Sequence, residues 1–161
     1  MNKIIAAWLI GLALILPQFG ARSEEASPGD EIIGVWHTTG DRGDVKIFKR
    51  DGRYFGEVLN IAEPNWPAND KHGMGGKPKN DRYNPNPKLR DRPVIGIELM
   101  TEFVYARKNL WDEGKIYDPE TGKTYKCKMI LKSPNKLEVH GYIGISLFGR
   151  TVTWTRAEET K

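Results

Sequence analysis

The sequence predicts an all-β protein: a single closed antiparallel barrel of about eight strands with one long proline-rich loop. From Ile116 to Arg156, short runs of residues alternate between apolar and polar. Gly, Pro, Asn and Asp punctuate these runs every 8–12 residues or so, a spacing typical of antiparallel strands joined by tight turns. No long helical pattern is present, which excludes a nucleotide-binding βαβ unit. Closure into a barrel would remove the exposed edges of such a sheet.

The predicted strands follow one another with short connections, apart from one long loop. They are residues 32–38, 44–50, 53–61, 94–99, 115–117, 123–131, 136–142 and 151–156. Asp51-Gly52 predicts a type I′ hairpin turn between the second and third strands. Residues 100–107 fit either a continued strand or one turn of helix. Glycines at 141, 144 and 149 interrupt the last pair and indicate bulges or close backbone contact.

The amino terminus has the layout of a secretory signal peptide. An apolar run of 13 residues, 4–16, follows Lys3, and the small residues Ala21 and Ser23 come next. A membrane-spanning helix needs about 20 apolar residues, so cleavage near Ser23 is favoured over a permanent anchor. We therefore expect a periplasmic or secreted protein with a signal peptide at 1–23, a disordered segment at 24–31 and a barrel domain at 32–157.

Composition restricts the partners and the redox chemistry. Cys127 is the single cysteine, so it cannot form an intrachain disulfide, and we expect it to be buried on the apolar side of a strand. Removal of Lys3 and Arg22 with the signal peptide lowers the formal charge from +4 to +2. The basic residues are scattered among acids, which argues against a nucleic-acid partner. We expect a monomer without a transmembrane anchor after cleavage.

The long loop, residues 62–92, is rich in Pro, Asn, Asp, Lys and Gly. A structureless loop of this length in a small domain is uncommon, and it is usually functional or disordered. Its first part, 64–80, is predicted to be mobile. The second part, 81–93, is predicted to be more ordered because its Asn-Pro pairs set turns.

A polar cluster in and beside this loop is the first candidate site. Its members are Asp81, Asn84, Arg90, Arg92, Tyr117 and Asp118. They could form a polar mouth that recognises a ligand headgroup or supplies an acid and a base. Alternatively they pin the loop, with Asp and Asn capping turns and the arginines pairing with Asp118 or with carbonyls. Asp118 is best interpreted as a turn residue that accepts backbone N–H groups.

The two ends of the barrel sequence suggest a closing contact. Trp36 lies on the first predicted strand, and Trp154 and Arg156 share a face of the last. In a closed barrel these strands are neighbours, so Arg156 would stack on Trp36 and seal one end, unless it faces water near the chain terminus. Tyr125 and Tyr142 are further candidates for lining an opening, although aromatics in alternating strands are more often core residues.

The sequence gives no catalytic residues, metal site or cofactor. It contains no phosphate-binding loop and no nucleophile or zinc-protease motif. His37 and His140 fall on polar faces of strands and are expected to be solvated. Asp70, His72 and Met74 are metal-ligating types, but a glycine-rich loop without supporting partners makes a poor site. The least favoured hypothesis is that the protein is an enzyme, namely a hydrolase that uses Asp81 or Asp118.

The motifs, in order, resemble a known family. They are Gly34-Val35-Trp36; Asp81 with Asn84-Pro85; Arg90, Arg92-Pro93 and Gly96; Trp111-x-x-Gly114; Ile116 to Tyr125; and Gly141-Tyr142-Ile143-Gly144 running to Gly149-Arg150-Thr151 and Trp154-Thr155-Arg156. This pattern is similar to the exported bacterial family called domain of unknown function 2147. The resemblance implies a lipocalin-like (calycin-type) barrel in a Gram-negative envelope, without an established activity. The loop at 65–76 is longer here than in that pattern.

Two hypotheses for the function follow. The first is a periplasmic module that binds one small apolar or amphipathic molecule. Its lumen candidates are Trp36, Ile47, Leu99, Phe103, Met129, Leu137, Val139 and Trp154. The second is a barrel filled solid with side chains, whose long loop docks an envelope protein partner.

Overall fold

Eight antiparallel strands form one closed barrel, as the sequence predicted. The structure is a computed structural model that describes residues 27–40, 42–147 and 149–158. The strands are β1 (Gly34–His37), β2 (Gly43–Arg50), β3 (Arg53–Ile61), β4 (Glu98–Arg107), β5 (Leu110–Asp118), β6 (Lys123–Ser133), β7 (Lys136–Tyr142) and β8 (Gly149–Arg156). Each strand pairs with the next one along the chain, which is the order that short hairpin connections favour.

The first and last strands close the barrel. Trp36 on β1 lies opposite Arg156 on β8, and His37 lies opposite Thr155. The predicted adjacency of these strands is therefore confirmed. Because the register places the indole and the guanidinium on directly opposed residues, closure and the Trp–Arg contact are parts of one arrangement.

The fourth strand begins later than predicted. Residues 94–97 form a turn in which Gly96 has φ 90°, and β4 starts at Glu98. The Gly96 N–H donates to the Val58 carbonyl at 2.8 Å, and the Val58 N–H donates to the Ile97 carbonyl at 3.0 Å. The predicted strand at 94–99 is therefore wrong in its first four residues, where the turn leaves Ile95 exposed while Ile97 is buried.

Bulges account for the other strand differences. Residues 100–107 continue β4, with Glu102 at φ 66°, and β5 begins at Leu110 instead of residue 115. Glu113 has φ 62° at the point where the register between β5 and β6 shifts. A bulge adds one residue and reverses the alternation of apolar and polar positions, so the sequence pattern of these strands was obscured.

The barrel has two different ends. The closed end carries the short turns at 51–52, 108–109 and 134–135, together with a 3₁₀ helix, Asp30–Ile32. The Trp36 indole N–H donates to the Ile32 carbonyl at 2.8 Å, which seats this helix against the core. The loop-bearing end carries the connections from β1 to β2, from β3 to β4, from β5 to β6 and from β7 to β8.

Residues 27–31, the described part of the segment 24–31 that was predicted to be disordered, are hydrogen-bonded. Residues 24–26 and the predicted signal peptide at 1–23 lie outside the described residues. The Asp30 carboxylate accepts from the Tyr54 hydroxyl at 2.8 Å and pairs with the Lys49 ammonium at 2.8 Å. The Trp111 indole N–H donates to the Gly29 carbonyl at 3.1 Å. The polar composition of this segment suggested disorder, whereas its polar groups are matched to partners on the barrel.

Side chains fill the interior. Seven of the eight lumen candidates belong to one packed cluster, and Leu99 packs against it while half-buried. The cluster also includes Ile32, Tyr54, Met100, Trp111 and Cys127. A barrel of eight strands has just enough room for its own side chains or for one small ligand. Here the large aromatic residues occupy that room.

Cys127 is buried in this cluster, as predicted. Burial raises the pKa of its thiol to about 12. The thiolate is the reactive form of cysteine, and the raised pKa keeps the Cys127 thiol protonated. Cys127 therefore has the properties of a core residue. None of the helices in the described part of the chain is long and apolar enough to span a membrane.

Candidate functional site

The Asp81 cluster, formed by Asp81, Asn84, Arg92 and Tyr117, lies at the loop-bearing end, and Asp81 and Asn84 are buried there. The Tyr117 hydroxyl donates to one carboxylate oxygen of Asp81. The other oxygen accepts from Asn84 Nδ2 at 2.7 Å and from Arg92 Nε and Nη2 at 3.0 and 2.8 Å. The Asp81 side chain is completely buried. Four donors therefore surround a carboxylate that no solvent reaches.

The local sequence places these groups. The Asp81 N–H donates to the Arg92 carbonyl at 3.0 Å, and the Asn84 N–H donates to the Asp81 carbonyl at 2.9 Å, which makes a turn. Asn84 Oδ1 accepts from the Asn86 N–H at 2.9 Å, and Arg90 Nε donates to the Asn84 carbonyl at 2.8 Å. These contacts are those of the pinning interpretation. The arginines hold Asp81 and a carbonyl, and not Asp118 as that interpretation also allowed.

The electrostatics of the cluster fix its protonation. Burial raises the pKa of Tyr117 to about 12, and the hydrogen bond to Asp81 and the negative charge of that carboxylate act in the same direction. Tyr117 is therefore a protonated donor at all physiological pH values. Arg92 keeps 38% of its side chain exposed, so the charge of the pair is partly solvated. Both oxygens of this buried carboxylate accept hydrogen bonds from the protein, so neither is accessible to a substrate. The hypothesis of a hydrolase therefore gains no support from Asp81.

Asp118 lies in the β5–β6 turn. Its carboxylate accepts from the Glu120 N–H at 2.9 Å and the Thr121 hydroxyl at 2.8 Å, and its carbonyl accepts from the Gly122 N–H at 2.8 Å. Gly122 has φ 69°, and an added Cβ would lie 1.9 Å from the Tyr83 carbonyl oxygen. The segment that carries Asp81 therefore sits directly on this turn, where only glycine fits.

The first part of the long loop, predicted to be mobile, forms a folded excursion. The Arg82 guanidinium lies 3.3 Å from the centre of the Trp66 ring and pairs with Asp70 at 2.8 Å. Asp70 also accepts from the backbone N–H groups of His72 and Met74 at 3.1 and 3.0 Å. Its oxygens are thus engaged by an arginine and the backbone. Among the described residues, no group of three or more His, Cys, Asp or Glu has a metal-binding arrangement.

Arg156 seals the closed end. Its guanidinium lies 4.3 Å from the centre of the Trp36 ring, and it donates to the carbonyls of Pro134, Ile33 and Glu31. The Pro134 and Ile33 distances are 2.7 and 2.9 Å. The stacked arrangement predicted for Arg156 is therefore present, and Arg156 also links β8 to the segment before β1.

The remaining candidate residues lie apart from the Asp81 cluster. Trp36 and Trp154 are buried in the filled interior. Tyr142 stacks on His140 on the outer face of β7, with ring centres 5.7 Å apart. Tyr125 lies on the same face of β6 as Cys127 and is half-buried near the loop-bearing end. Its cross-strand partner there is Ile116 on β5. The structure thus unites Asp81, Asn84, Arg90, Arg92 and Tyr117, and it separates them from the aromatic candidates.

The aliphatic loop, residues 143–147, is the feature that sequence reasoning missed. Ile143, Ile145 and Leu147 are 72%, 63% and 80% exposed. His140, expected to be solvated, holds this loop: its Nε2 bonds to the Ser146 carbonyl at 2.9 Å, and its Nδ1 bonds to the Thr151 hydroxyl at 2.8 Å. The signal was an aliphatic residue at every second position of a connection, where turns are usually polar.

Two shallow depressions lie on the surface, each of about 350 Å³. One is lined by the long loop, including Met74, Lys77 and Asp91. The other lies on the outer faces of β5, β6 and β7 and is lined by Asp112, Glu113, Gly114, Lys115, Lys126 and Tyr142. Neither of the two reaches the barrel interior.

Comparison with known proteins agrees with this geometry. The family model described as "Uncharacterized protein conserved in bacteria (DUF2147)" matches residues 34–156. A solved structure titled "Protein HP1028 from the human pathogen Helicobacter pylori belongs to the lipocalin family" is similar with a TM-score of 0.66 and 26% identity, over 79% of this chain and 83% of that one. No curated protein matches the chain. The chain therefore belongs to the DUF2147 family of uncharacterized bacterial proteins, and its fold is a lipocalin-like barrel.

Proposed function

We propose that this protein is an exported binding module that takes an amphipathic molecule at the loop-bearing end of a filled barrel. One observation carries the proposal. The interior is occupied by aromatic and aliphatic side chains, while the apolar surface that remains accessible is concentrated at the loop-bearing end. Exposed apolar surface of this kind marks binding sites in proteins that are otherwise well packed.

The binding surface would combine the aliphatic loop with three half-buried residues beneath it. These mouth residues, Ile116, Tyr125 and Val152, lie on the inward-facing positions of β5, β6 and β8. Gly141, the inward-facing residue between them on β7, has no side chain. An added Cβ there would lie 3.5 Å from Ile116 Cγ2 and 3.9 Å from Tyr125 Cβ, which is ordinary van der Waals contact. An apolar chain lying over this gap would contact all three mouth residues.

The charges at this end favour a ligand with an anionic head. The four connections of the loop-bearing end contain eight Lys and Arg against six Asp and Glu. This excess of two basic residues attracts an anion to the loop-bearing end and adds to the apolar contact.

Titration with lauric acid, a soluble single-chain amphiphile, tests the proposal. We expect saturable binding with one site per barrel. Gly141→Leu, which places an aliphatic side chain between Ile116 and Tyr125, should weaken that binding about tenfold because the chain loses its contacts with the mouth residues. Lys128→Leu places the same aliphatic side chain on the outer face of β6, away from the mouth residues, and serves as the control. Absence of saturable binding, or equal affinity for both variants, would contradict the proposal.

Export is the other part of the proposal, and it is supported by the layout of residues 1–23. Mass spectrometry of protein recovered from fractionated cells would give the mature amino terminus and the compartment. We expect a terminus near residue 24 in the periplasmic or secreted fraction. An intact Met1 or recovery in the cytoplasmic fraction would contradict export without affecting the binding proposal.

A second candidate, docking of an envelope protein, is favoured by the order of the long loop. The stacking of Arg82 on Trp66 and the pairing of Lys79 with Glu63 at 3.4 Å give the excursion a defined shape. A platform held in this way can recognise a partner without an ordering cost. Arg82→Ala should release the excursion, and loss of a co-purifying envelope protein in that variant would support this function.

A further inference from the structure

We propose that the aliphatic loop docks the barrel onto an anionic lipid bilayer. The inference rests on the proposed function, and it adds the surface at which an amphipathic ligand would be exchanged. It rests on the order of side chains at one edge of the loop-bearing end. From the loop towards the barrel, an apolar tip comes first, then an aromatic ring and then a basic collar.

The apolar tip consists of Ile143, Ile145 and Leu147, each more than 60% exposed. The loop that carries them is fixed on the barrel, because His140 Nε2 is hydrogen-bonded to the Ser146 carbonyl at 2.9 Å. The Ser146 carbonyl is only an acceptor, so Nε2 carries the proton and donates. Thr151 then bonds to Nδ1 at 2.8 Å, and the tip is fixed on the barrel with little further ordering required for docking.

The aromatic layer is Tyr142, the last residue of β7 before the tip. Its ring stacks on His140 on the outer face of the barrel, directly below the loop. Tyrosine is enriched at membrane–water interfaces, where the ring lies at the level of the lipid headgroups and the hydroxyl stays in water. The position of Tyr142 matches that depth when the tip enters the acyl boundary.

The basic collar is formed by Lys115, Lys126 and Arg150. Lys126 is the cross-strand partner of both Tyr142 and Lys115 on the outer face. Arg150 is the partner of Gly141 and lies at the rim, in phase with Val152 on β8. All three residues are exposed. Asp112 and Glu113 come earlier on β5 and so lie further from the tip. Asp118 and Glu120 lie at the loop-bearing end, but the Asp118 carboxylate is engaged by its own turn and Glu120 pairs with Arg42.

This order fits a bilayer better than a protein partner. Basic side chains near a membrane surface are attracted by anionic headgroups, and long Lys and Arg chains reach those headgroups while the tip is inserted. Lysine is depleted in protein–protein interfaces, whose centres are apolar and desolvated. An apolar tip surrounded by lysine and arginine therefore has the charge complement of an anionic lipid surface.

Vesicle co-sedimentation tests the inference on protein as recovered from cells, with its amino terminus read by mass spectrometry. Vesicles of phosphatidylcholine with about one-third phosphatidylglycerol should bind the protein about tenfold or more tightly than phosphatidylcholine alone. Ile145→Ser with Leu147→Ser should lower the partition coefficient at least about tenfold. Ile33→Ser with Leu59→Ser removes two exposed aliphatic residues elsewhere and should leave binding within about twofold.

The collar is tested separately by Lys115→Gln, Lys126→Gln and Arg150→Gln combined. This variant should lose the preference for anionic vesicles, and the wild type should lose it as salt rises from about 0.1 to about 0.5 M. Equal binding by all variants, or no binding to anionic vesicles, would overturn the inference.

A fluorescent label gives an independent measurement. Cys127 is buried, so Leu147→Cys can be labelled selectively with an environment-sensitive dye. Its emission should shift to the blue on anionic vesicles, whereas a label at Leu59→Cys should not shift. If lauric acid binds and Gly141→Leu weakens it while vesicles leave the dye unchanged, the proposed function stands and the bilayer inference fails. If neither lauric acid nor vesicles bind, both fail.

Discussion

The two ends of the barrel are closed by different kinds of interaction. At the closed end, an indole lies under a guanidinium and seals an apolar interior, with Arg156 bonded to three backbone carbonyls. At the loop-bearing end, a buried carboxylate gathers a tyrosine, an asparagine and an arginine around itself, while aliphatic side chains stay in water. One end thus contributes mainly stability, and the other combines stability with an accessible apolar surface.

The comparison shows where a filled barrel can still bind. In a larger barrel the inward-facing residues would line a cavity, whereas here they pack against one another and form the core. A ligand must therefore make its contacts at the rim. The Asp81 cluster supports that rim by fixing the long loop on the β5–β6 turn. It is therefore an indirect part of the site, acting through the position of the loop and not through contact with a ligand.

The largest effect should come from Asp81→Ala. The substitution leaves the Tyr117 hydroxyl and the Asn84 amide without their acceptor and removes the partner of Arg92, so we expect a loss of about 3 kcal/mol in the free energy of unfolding. Urea denaturation measures it. Asp91→Ala, at an exposed position of the same loop, should change stability by less than about 0.5 kcal/mol. Equal effects of the two substitutions would remove the Asp81 cluster as the support of this end.

Arg156→Ala should have the next largest effect, at the closed end. It removes the cation–π contact with Trp36 and leaves carbonyls without donors, so we expect a loss of about 2 kcal/mol. Arg156→Lys should recover less than half of this loss because an ammonium cannot reproduce the planar fork. The exposed Arg150→Ala on the same strand is the matched control. Full recovery by lysine would mean that charge alone closes this end.

Stability at alkaline pH should depend on Tyr117 in the Asp81 cluster. At the loop-bearing end, Tyr117 has a pKa of about 12 against an ordinary value of 10.0. The unfolded chain therefore releases its proton first, and the stability from this group is lost as pH rises from about 10 to about 12. Tyr117→Phe should flatten the alkaline limb relative to wild type, and an unchanged slope would contradict the assignment.

The acid limb tests the closed end. Burial tends to raise the pKa of Asp30, but hydrogen bonds from Lys49, Tyr54 and Ser27 outweigh it and lower the value to about 2 from 3.8. The stability from Asp30 is then present above about pH 3.8 and is lost as pH falls towards 2. Asp30→Asn should reduce the slope of the acid limb. Because burial and Asp30 together raise the pKa of Tyr54, and Asp30 also raises the pKa of Lys49, the substitution should change part of the alkaline limb as well. An unchanged acid limb would contradict the role assigned to Asp30.

The smallest effect on stability should come from Ile145→Ser with Leu147→Ser. Both side chains are largely exposed, and the loop is held through the Ser146 carbonyl and not through these side chains. We expect a change of less than about 0.5 kcal/mol in urea denaturation. A loss of more than about 1 kcal/mol would show that the tip packs on the barrel and is not available for docking.

The sequence predicted the barrel well because its strands are local patterns. The hairpins around Asp51-Gly52 and Asp118 needed only alternation and turn residues, and the pairing of β1 with β8 followed from closure. The Trp36–Arg156 contact was accessible for the same reason, since opposed positions on neighbouring strands fix it.

The loop-bearing end was harder to predict because its contacts are long-range. The chemistry of Asp81, Asn84 and Arg92 suggested pinning, but the role of Tyr117 as a hydrogen-bond donor required the loop and β5 to meet in space. Positive φ at Glu102 and Glu113 hid two strand segments by shifting their phase. The interval from Gly141 to Gly149 was interpreted through its glycines, and the aliphatic residues between them were overlooked.

The most direct test of binding at the rim of a filled barrel is nuclear magnetic resonance of ¹⁵N-labelled protein titrated with lauric acid. We expect shifts at Gly141, in the aliphatic loop and at Ile116 and Tyr125, with the indole N–H signals of Trp36 and Trp111 unmoved. Large shifts of those two indole signals, with the rim unchanged, would place the ligand deep in the barrel and contradict binding at the rim.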